Sequence, residues 1–129
     1  MAAVVHIEPA GALNGARILV VEDDFLISTE LDMILADAGA TVVGPCRTLA
    51  QAEHVIEGNQ ISAAILDFRL GSDTTLPVAA RLHRHGIPFV FFTGQTNTSQ
   101  IESACPGARV ISKPFQGRTI VAALADVLH

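Results

Sequence analysis

Apolar residues fall along this chain in two alternating styles: short continuous runs, and longer stretches in which they recur every three to four positions. The runs sit at Arg17–Val21, Thr41–Val43, Ile61–Leu66, Ile87–Phe92 and Arg109–Ser112, and their length and wealth of β-branched and aromatic residues predict strands. Helical spacings lie between them. Ile27, Leu31, Ile34 and Ala38 share one helix face, with Asp24 placed as a cap and Gly39 as the stop. Leu49, Ala52, Val55 and Ile56 share a second, opened by a Thr48–Gln51 capping box and closed by Gly58. Thr75 is placed to cap a third helix that runs to about His85 and ends at Gly86, with Pro77 in its first turns, where a missing N–H does little harm. Thr98 to Cys105 allows only a short helix before Pro106, and Ile120, Val121, Leu124, Val127 and Leu128 line one face of the last. Residues 69–74, with Gly71, Ser72 and Asp73, read as loop.

Strands alternating with helices predict an α/β domain built on a doubly wound, five-stranded parallel sheet with helices on both faces. All strands of such a sheet point the same way, so the residues at their carboxyl ends converge on one edge, where ligands bind. Here those residues are Glu22 and Asp23 after the first strand, Asp67 after the third, Thr93 after the fourth and Lys113 after the fifth.

Composition narrows the class of partner. The chain has 129 residues, half of them apolar and 16% charged, which suits one covered domain rather than a disordered segment. A net charge of -5 with eight scattered Lys and Arg argues against a nucleic-acid partner. No run approaches the ~20 apolar residues of a membrane span. Met1 to Val5 lacks a basic flank and is cut short by His6 and Glu8, so it is not a secretory signal, and a cytoplasmic location is expected. Cys46 and Cys105 read as small buried hydrophobes, and His6, His54, His83, His85 and His129 show no metal spacing. Residues 1–16, rich in Ala and Gly, read as a mobile N-terminal tail, with its docking on the domain left open, and residues 17–129 as the domain.

The converging residues carry chemistry. Three carboxylates against one ammonium leave an excess of about two negative charges, and two carboxylates ~4 Å apart repel by about 4 kcal/mol at an effective dielectric near 20. A divalent cation relieves that, and oxygen ligands with room for water suit Mg²⁺. One carboxylate can then attack a phosphoryl group while Lys113 and the cation hold its oxygens and the Thr93 hydroxyl donates to another. Asp67, alone at the end of the central strand, is the expected acceptor; Glu22 and Asp23, adjacent to each other, suit the cation. Arg69 either overhangs the pocket, tuning access or hydrolysis, or points to water.

Four strings, Ile18-Leu19-Val20-Val21-Glu22-Asp23-Asp24, Ile65-Leu66-Asp67, Thr93-Gly94 and Lys113-Pro114-Phe115, together resemble the receiver domain of two-component response regulators over nearly all of positions 17 to 129. The resemblance implies a flavodoxin-like fold with strand order 2-1-3-4-5. It implies phosphorylation of Asp67 by a sensor histidine kinase or a histidine phosphotransfer protein. It also implies direct Mg²⁺ ligation by Asp23, Asp67 and the backbone carbonyl of Arg69, with Glu22 acting through water, and a cis Lys113–Pro114 bond. Most receivers carry a Tyr or Phe switch where this chain has Val110. Phe91-Phe92-Thr93-Gly94-Gln95 resembles instead the FAT GUY subclass, single-domain receivers with a Phe-x-Thr-Gly signature, a weakened fourth helix and no aromatic switch; Phe92 and Gln95 depart from its pattern.

The function expected is that of a stand-alone phosphoacceptor switch rather than an enzyme, a monomer or weak dimer that binds an unidentified downstream protein or relays its phosphoryl group. A haloacid-dehalogenase-type phosphatase would need a second acid two residues after the nucleophile, where Arg69 stands. A phosphorylation-independent adaptor is suggested by Val110 and the short fourth helix, and opposed by the intact acids, Thr93 and Lys113.

Overall fold

Strand residues that are apolar at every position need cover on both faces, and α-helices supply it here. The computed structural model describes residues 11–94 and 98–129. In chain order the elements are β1 (Arg17–Val21), α1 (Phe25–Asp37), β2 (Thr41–Cys46), α2 (Leu49–Gly58), β3 (Ala63–Asp67), β4 (Arg69–Leu70), β5 (Asp73–Thr74), α3 (Leu76–Arg84), β6 (Phe89–Thr93), α4 (Ser99–Ala104), β7 (Arg109–Ser112) and α5 (Gly117–Leu128). The main sheet runs β2-β1-β3-β6-β7 and every pairing in it is parallel. With the two-residue β4 and β5 set aside, this is the expected order 2-1-3-4-5.

Side chains alternate across a strand, so each strand feeds two cores. Ile18, Val20, Ile65, Val90 and Phe92 face Leu31 and Leu35 of α1 and Ile120 and Leu124 of α5. Leu19, Val21, Ala64, Leu66 and Phe91 face Ala52 and Ile56 of α2, Val78 and Leu82 of α3 and Ile101 of α4. No helix among the described residues is long and apolar enough to cross a membrane.

Three local readings change. Of the stretch expected as a tail, residues 1–10 lie outside the described residues, whereas residues 11–16 are packed. Leu13 is 1% exposed within the α1/α5 core, its amide donates to the Ala38 carbonyl at 2.9 Å, and the Ala16 carbonyl accepts from the Thr41 amide at 2.8 Å. A turn rather than a period places Leu13, so no hydrophobic repeat betrays it. β2 continues past Val43 to Cys46 through a cis Gly44–Pro45 bond; an edge strand tolerates the proline that a central one would reject. The Lys113–Pro114 bond is also cis. Residues 69–74 form an antiparallel ribbon, Arg69 opposite Thr74 and Leu70 opposite Asp73, with Gly71 at φ +59° in its turn. Strands of two residues are too short to show alternation in the sequence.

Truncating Leu13 to Ala is expected to cost about 2–4 kcal/mol in urea unfolding, as for a core leucine. A change near zero would mean that residues 11–16 do not pack in solution.

Candidate functional site

At the end of β1 the chain turns into α1, and Asp24 caps that helix by accepting from the amides of Leu26 (2.9 Å) and Ile27 (3.1 Å). With Asp24 so engaged, Glu22 and Asp23 are the acids left to the site. Glu22 is fully buried at 0% exposure, and neither of its carboxylate oxygens accepts a hydrogen bond among the described residues. The Lys113 ammonium is 4.0 Å from Oε1. Burial first, then the adjoining Asp67 carboxyl, pushes the Glu22 pKa up to about 9; Lys113 opposes the shift and Asp23 adds to it.

Asp67 ends β3 and is 6% exposed. Its Oδ1 accepts from the Arg69 amide at 3.2 Å and its Oδ2 from Lys113 Nζ at 3.0 Å. Asp23 is exposed; its Oδ2 accepts from the Gly71 amide at 3.1 Å and its carbonyl from Arg47 Nη1 at 3.3 Å. Thr93 is buried at the end of β6, the strand beside β3, and its carbonyl accepts from the Lys113 amide at 2.9 Å. That bond ties the ends of β6 and β7 together. The Lys113 ammonium also lies 4.9 Å from the centroid of the Phe92 ring, which favours a cation there.

Glu22, Asp23 and Asp67 each present a carboxylate oxygen within 4.8 Å of the others. The donors are all hard oxygens, and two of them, on Glu22, are buried without a hydrogen-bond partner among the described residues. Both facts fit a small divalent cation such as Mg²⁺.

Of the residues expected at the sheet edge, Glu22, Asp23, Asp67 and Lys113 bring their side chains together, and Thr93 stands at the end of the neighbouring strand, joined to Lys113 through its carbonyl. The Arg69 side chain is exposed, with its guanidinium 5.8 Å from the Phe68 ring centroid, while its amide faces Asp67. Cys46 and Cys105 are free thiols whose pKa values burial pushes up, which agrees with a packing role. Three participants escaped the sequence reading. Arg47, 24 positions from Asp23, reaches it across space and stacks 5.9 Å from the Phe25 centroid; nothing local signals that. The Gly71 amide was hidden in what read as loop. Thr75, expected to cap α3, makes no side-chain cap there; its hydroxyl donates to the Asp67 carbonyl at 2.8 Å.

Comparison with known proteins shows the family and the fold. A model of the response regulator receiver domain matches residues 18–125, and the chain belongs to that family. It is 28% identical over 115 residues to the phyllosphere-induced regulator PhyR of Methylorubrum extorquens, covering 87% of this chain and 43% of that protein, so it spans less than half of PhyR's length. It is similar to the solution structure of SdrG from Sphingomonas melonis Fr1, with 39% identity, a TM-score of 0.77, and coverage of 92% of this chain and 98% of SdrG. A CheY-like receiver from Methanospirillum hungatei JF-1 superposes with a TM-score of 0.78 at 26% identity, covering 88% of this chain and 93% of the other. Receiver domains are phosphoacceptor switches that typically bind Mg²⁺ in an acidic pocket and work with kinases or phosphotransfer proteins.

The Glu22 shift has a consequence for stability. The unfolded chain loses this proton near pH 4.5 and the folded one near 9, so the folded state holds an extra proton in between, and metal-free stability falls as pH rises through that window. Glu22→Gln is expected to flatten that fall and to raise stability at pH 8 by on the order of 1–3 kcal/mol, while weakening Mg²⁺ binding. Urea titrations from pH 5 to 9 without divalent ions check this; equal slopes in both proteins would contradict it.

Proposed function

We propose that Asp67 accepts a phosphoryl group from a sensor histidine kinase or a histidine phosphotransfer protein, and that the modified domain then changes its grip on a downstream protein or passes the group on. One observation carries this reading: a nearly buried carboxylate, held on one oxygen by the Arg69 amide and on the other by a lysine ammonium at 3.0 Å, stands in a cluster of acids that suits a divalent cation. Asp23, Asp67 and the backbone carbonyl of Arg69 would hold Mg²⁺ directly, with Glu22 acting through water. When bound, the ion neutralises the acids and draws charge from the phosphoryl oxygens.

Asp67 supplies the nucleophile. A lone pair on one of its oxygens forms the new O–P bond as the P–N bond to the donor imidazole breaks, and the imidazole nitrogen keeps the bonding pair. Lys113, already on Asp67 Oδ2, follows the charge onto a phosphoryl oxygen. Thr93, at the end of the neighbouring strand, donates its hydroxyl to another. Movement of Thr93 toward the phosphoryl group would pull on the bond between its carbonyl and the Lys113 amide and so on the ends of β6 and β7, the route by which the switch reaches the surface.

Kinship with the FAT GUY subclass belongs to the same reading. It is supported by the six-residue α4, by the half-buried Val110 packed in the core on the α2–α4 side, and by Phe91 and Thr93; Gln95 lies outside the described residues. A cytoplasmic location and a monomeric or weakly dimeric state are part of the proposal. The phosphatase alternative loses ground because the residue two after Asp67 is an arginine.

Incubated with a small phosphodonor and Mg²⁺, the wild-type protein is expected to gain the mass of one phosphoryl group as a base-labile acyl phosphate. Asp67→Asn should gain none, and Lys113→Ala should react slower by about 10²-fold. Equal labelling of wild type and Asp67→Asn by mass spectrometry would refute the assignment. Unchanged affinity for a copurified partner, with and without label, would favour the adaptor.

A further inference from the structure

Thr75 is 0% exposed and stands at the N-cap position of α3, where a threonine hydroxyl normally accepts from an amide of the first turn. Here it is turned the other way. The hydroxyl donates to the Asp67 carbonyl at 2.8 Å and passes 3.4 Å from the Phe68 carbonyl, while the Thr75 amide donates to the Phe68 carbonyl at 2.9 Å. A buried polar side chain is thus bound to the main chain of the residue whose carboxylate lies at the centre of the site.

Between Asp67 and Thr75 lies the β4–β5 ribbon, pinned to the acids at two further points. The Arg69 amide donates to Asp67 Oδ1 at 3.2 Å, and the Gly71 amide donates to Asp23 Oδ2 at 3.1 Å. The ribbon leaves β3 at Asp67 and Thr75 closes it back onto the same residue. If the hydroxyl let go, the Thr75 amide would still reach the Phe68 carbonyl, but no bond from Thr75 would reach Asp67, and neither ladder pair, Arg69 with Thr74 or Leu70 with Asp73, would itself hold the ribbon to β3.

We propose that Thr75 is a positioning residue: its hydroxyl clamps the β4–β5 ribbon to the acceptor strand, and so fixes the Arg69 and Gly71 backbone against the Asp67 and Asp23 carboxylates. This rests on the reading of Asp23, Asp67 and the Arg69 carbonyl as the Mg²⁺ site. A hydroxyl that merely satisfied a buried carbonyl would affect stability alone. The clamp affects the site in a protein that is still folded.

The chain contains no Trp or Tyr, so calorimetric Mg²⁺ titration and amide hydrogen exchange are the suitable readouts. Thr75→Val keeps the shape and removes the donor; Thr75→Ser keeps the donor and removes the methyl. Thr75→Val is expected to bind Mg²⁺ about tenfold more weakly, and Thr75→Ser within about twofold of wild type, the scale of a lost outer partner at a metal site. In the metal-free proteins, amide exchange at Arg69 and Gly71 should quicken in Thr75→Val and not in Thr75→Ser. Thr75→Ala replaces the valine variant if that one does not fold, with the same expectation. Wild-type affinity and exchange in Thr75→Val would overturn the clamp, as would a Thr75→Ser protein as impaired as Thr75→Val. Neither readout needs phosphoryl transfer: a Thr75-dependent site on a protein that accepts no phosphoryl group would support the clamp while refuting the proposed function.

Discussion

Three carboxylates and one ammonium are brought to the same edge of a parallel sheet because β1, β3 and β7 end there together, and the rest of the site follows from how their charges are balanced. Lys113 compensates Asp67 through a direct contact. For Glu22 the same ammonium is farther away, 4.0 Å from Oε1, and its buried oxygens accept no hydrogen bond among the described residues. In the metal-free state burial favours the protonated carboxyl, which offers one resolution. A cation offers another resolution, and the difference between the two is what would make this acidic cluster a binding site instead of a packing defect.

Placing such a cluster requires rigid supports. Two of the three acids are held by main-chain amides of the segment after β3, Asp67 by that of Arg69 and Asp23 by that of Gly71, and the Arg47 guanidinium donates to the Asp23 carbonyl. Thr93 and Lys113 are joined by a backbone bond between the ends of adjacent strands. The two cores behind them, one against α1 and α5 and the other against α2, α3 and α4, fix the strands that carry these residues. Membership of the response regulator receiver family accords with a fold organised around one edge of its sheet.

Much of this was legible in the sequence, for identifiable reasons. Long apolar runs such as Ile87–Phe92 can be little other than covered strands, and glycines at 39, 58 and 86 marked helix ends to within a residue or two. Parallel topology then brings Glu22, Asp23, Asp67, Thr93 and Lys113 together without any knowledge of side-chain geometry. Features built from single contacts were hidden. Leu13 joins the core through a turn, the ribbon at residues 69–74 is shorter than one period of alternation, and Arg47 meets Asp23 across loops distant in sequence. Thr75 looked like an ordinary cap because local propensity cannot show that the hydroxyl has a better acceptor in the Asp67 carbonyl.

The central claim is that the acids at this edge form a cation site built around Asp67. Crystals grown with Mn²⁺ in place of Mg²⁺, measured for anomalous scattering, test it most directly. The account predicts one strong peak at coordination distance from the carboxylates of Asp23 and Asp67 and the main-chain carbonyl of Arg69, with the Lys113 amine outside the coordination shell. A map with no peak there, or with the ion seated on other residues, would contradict it.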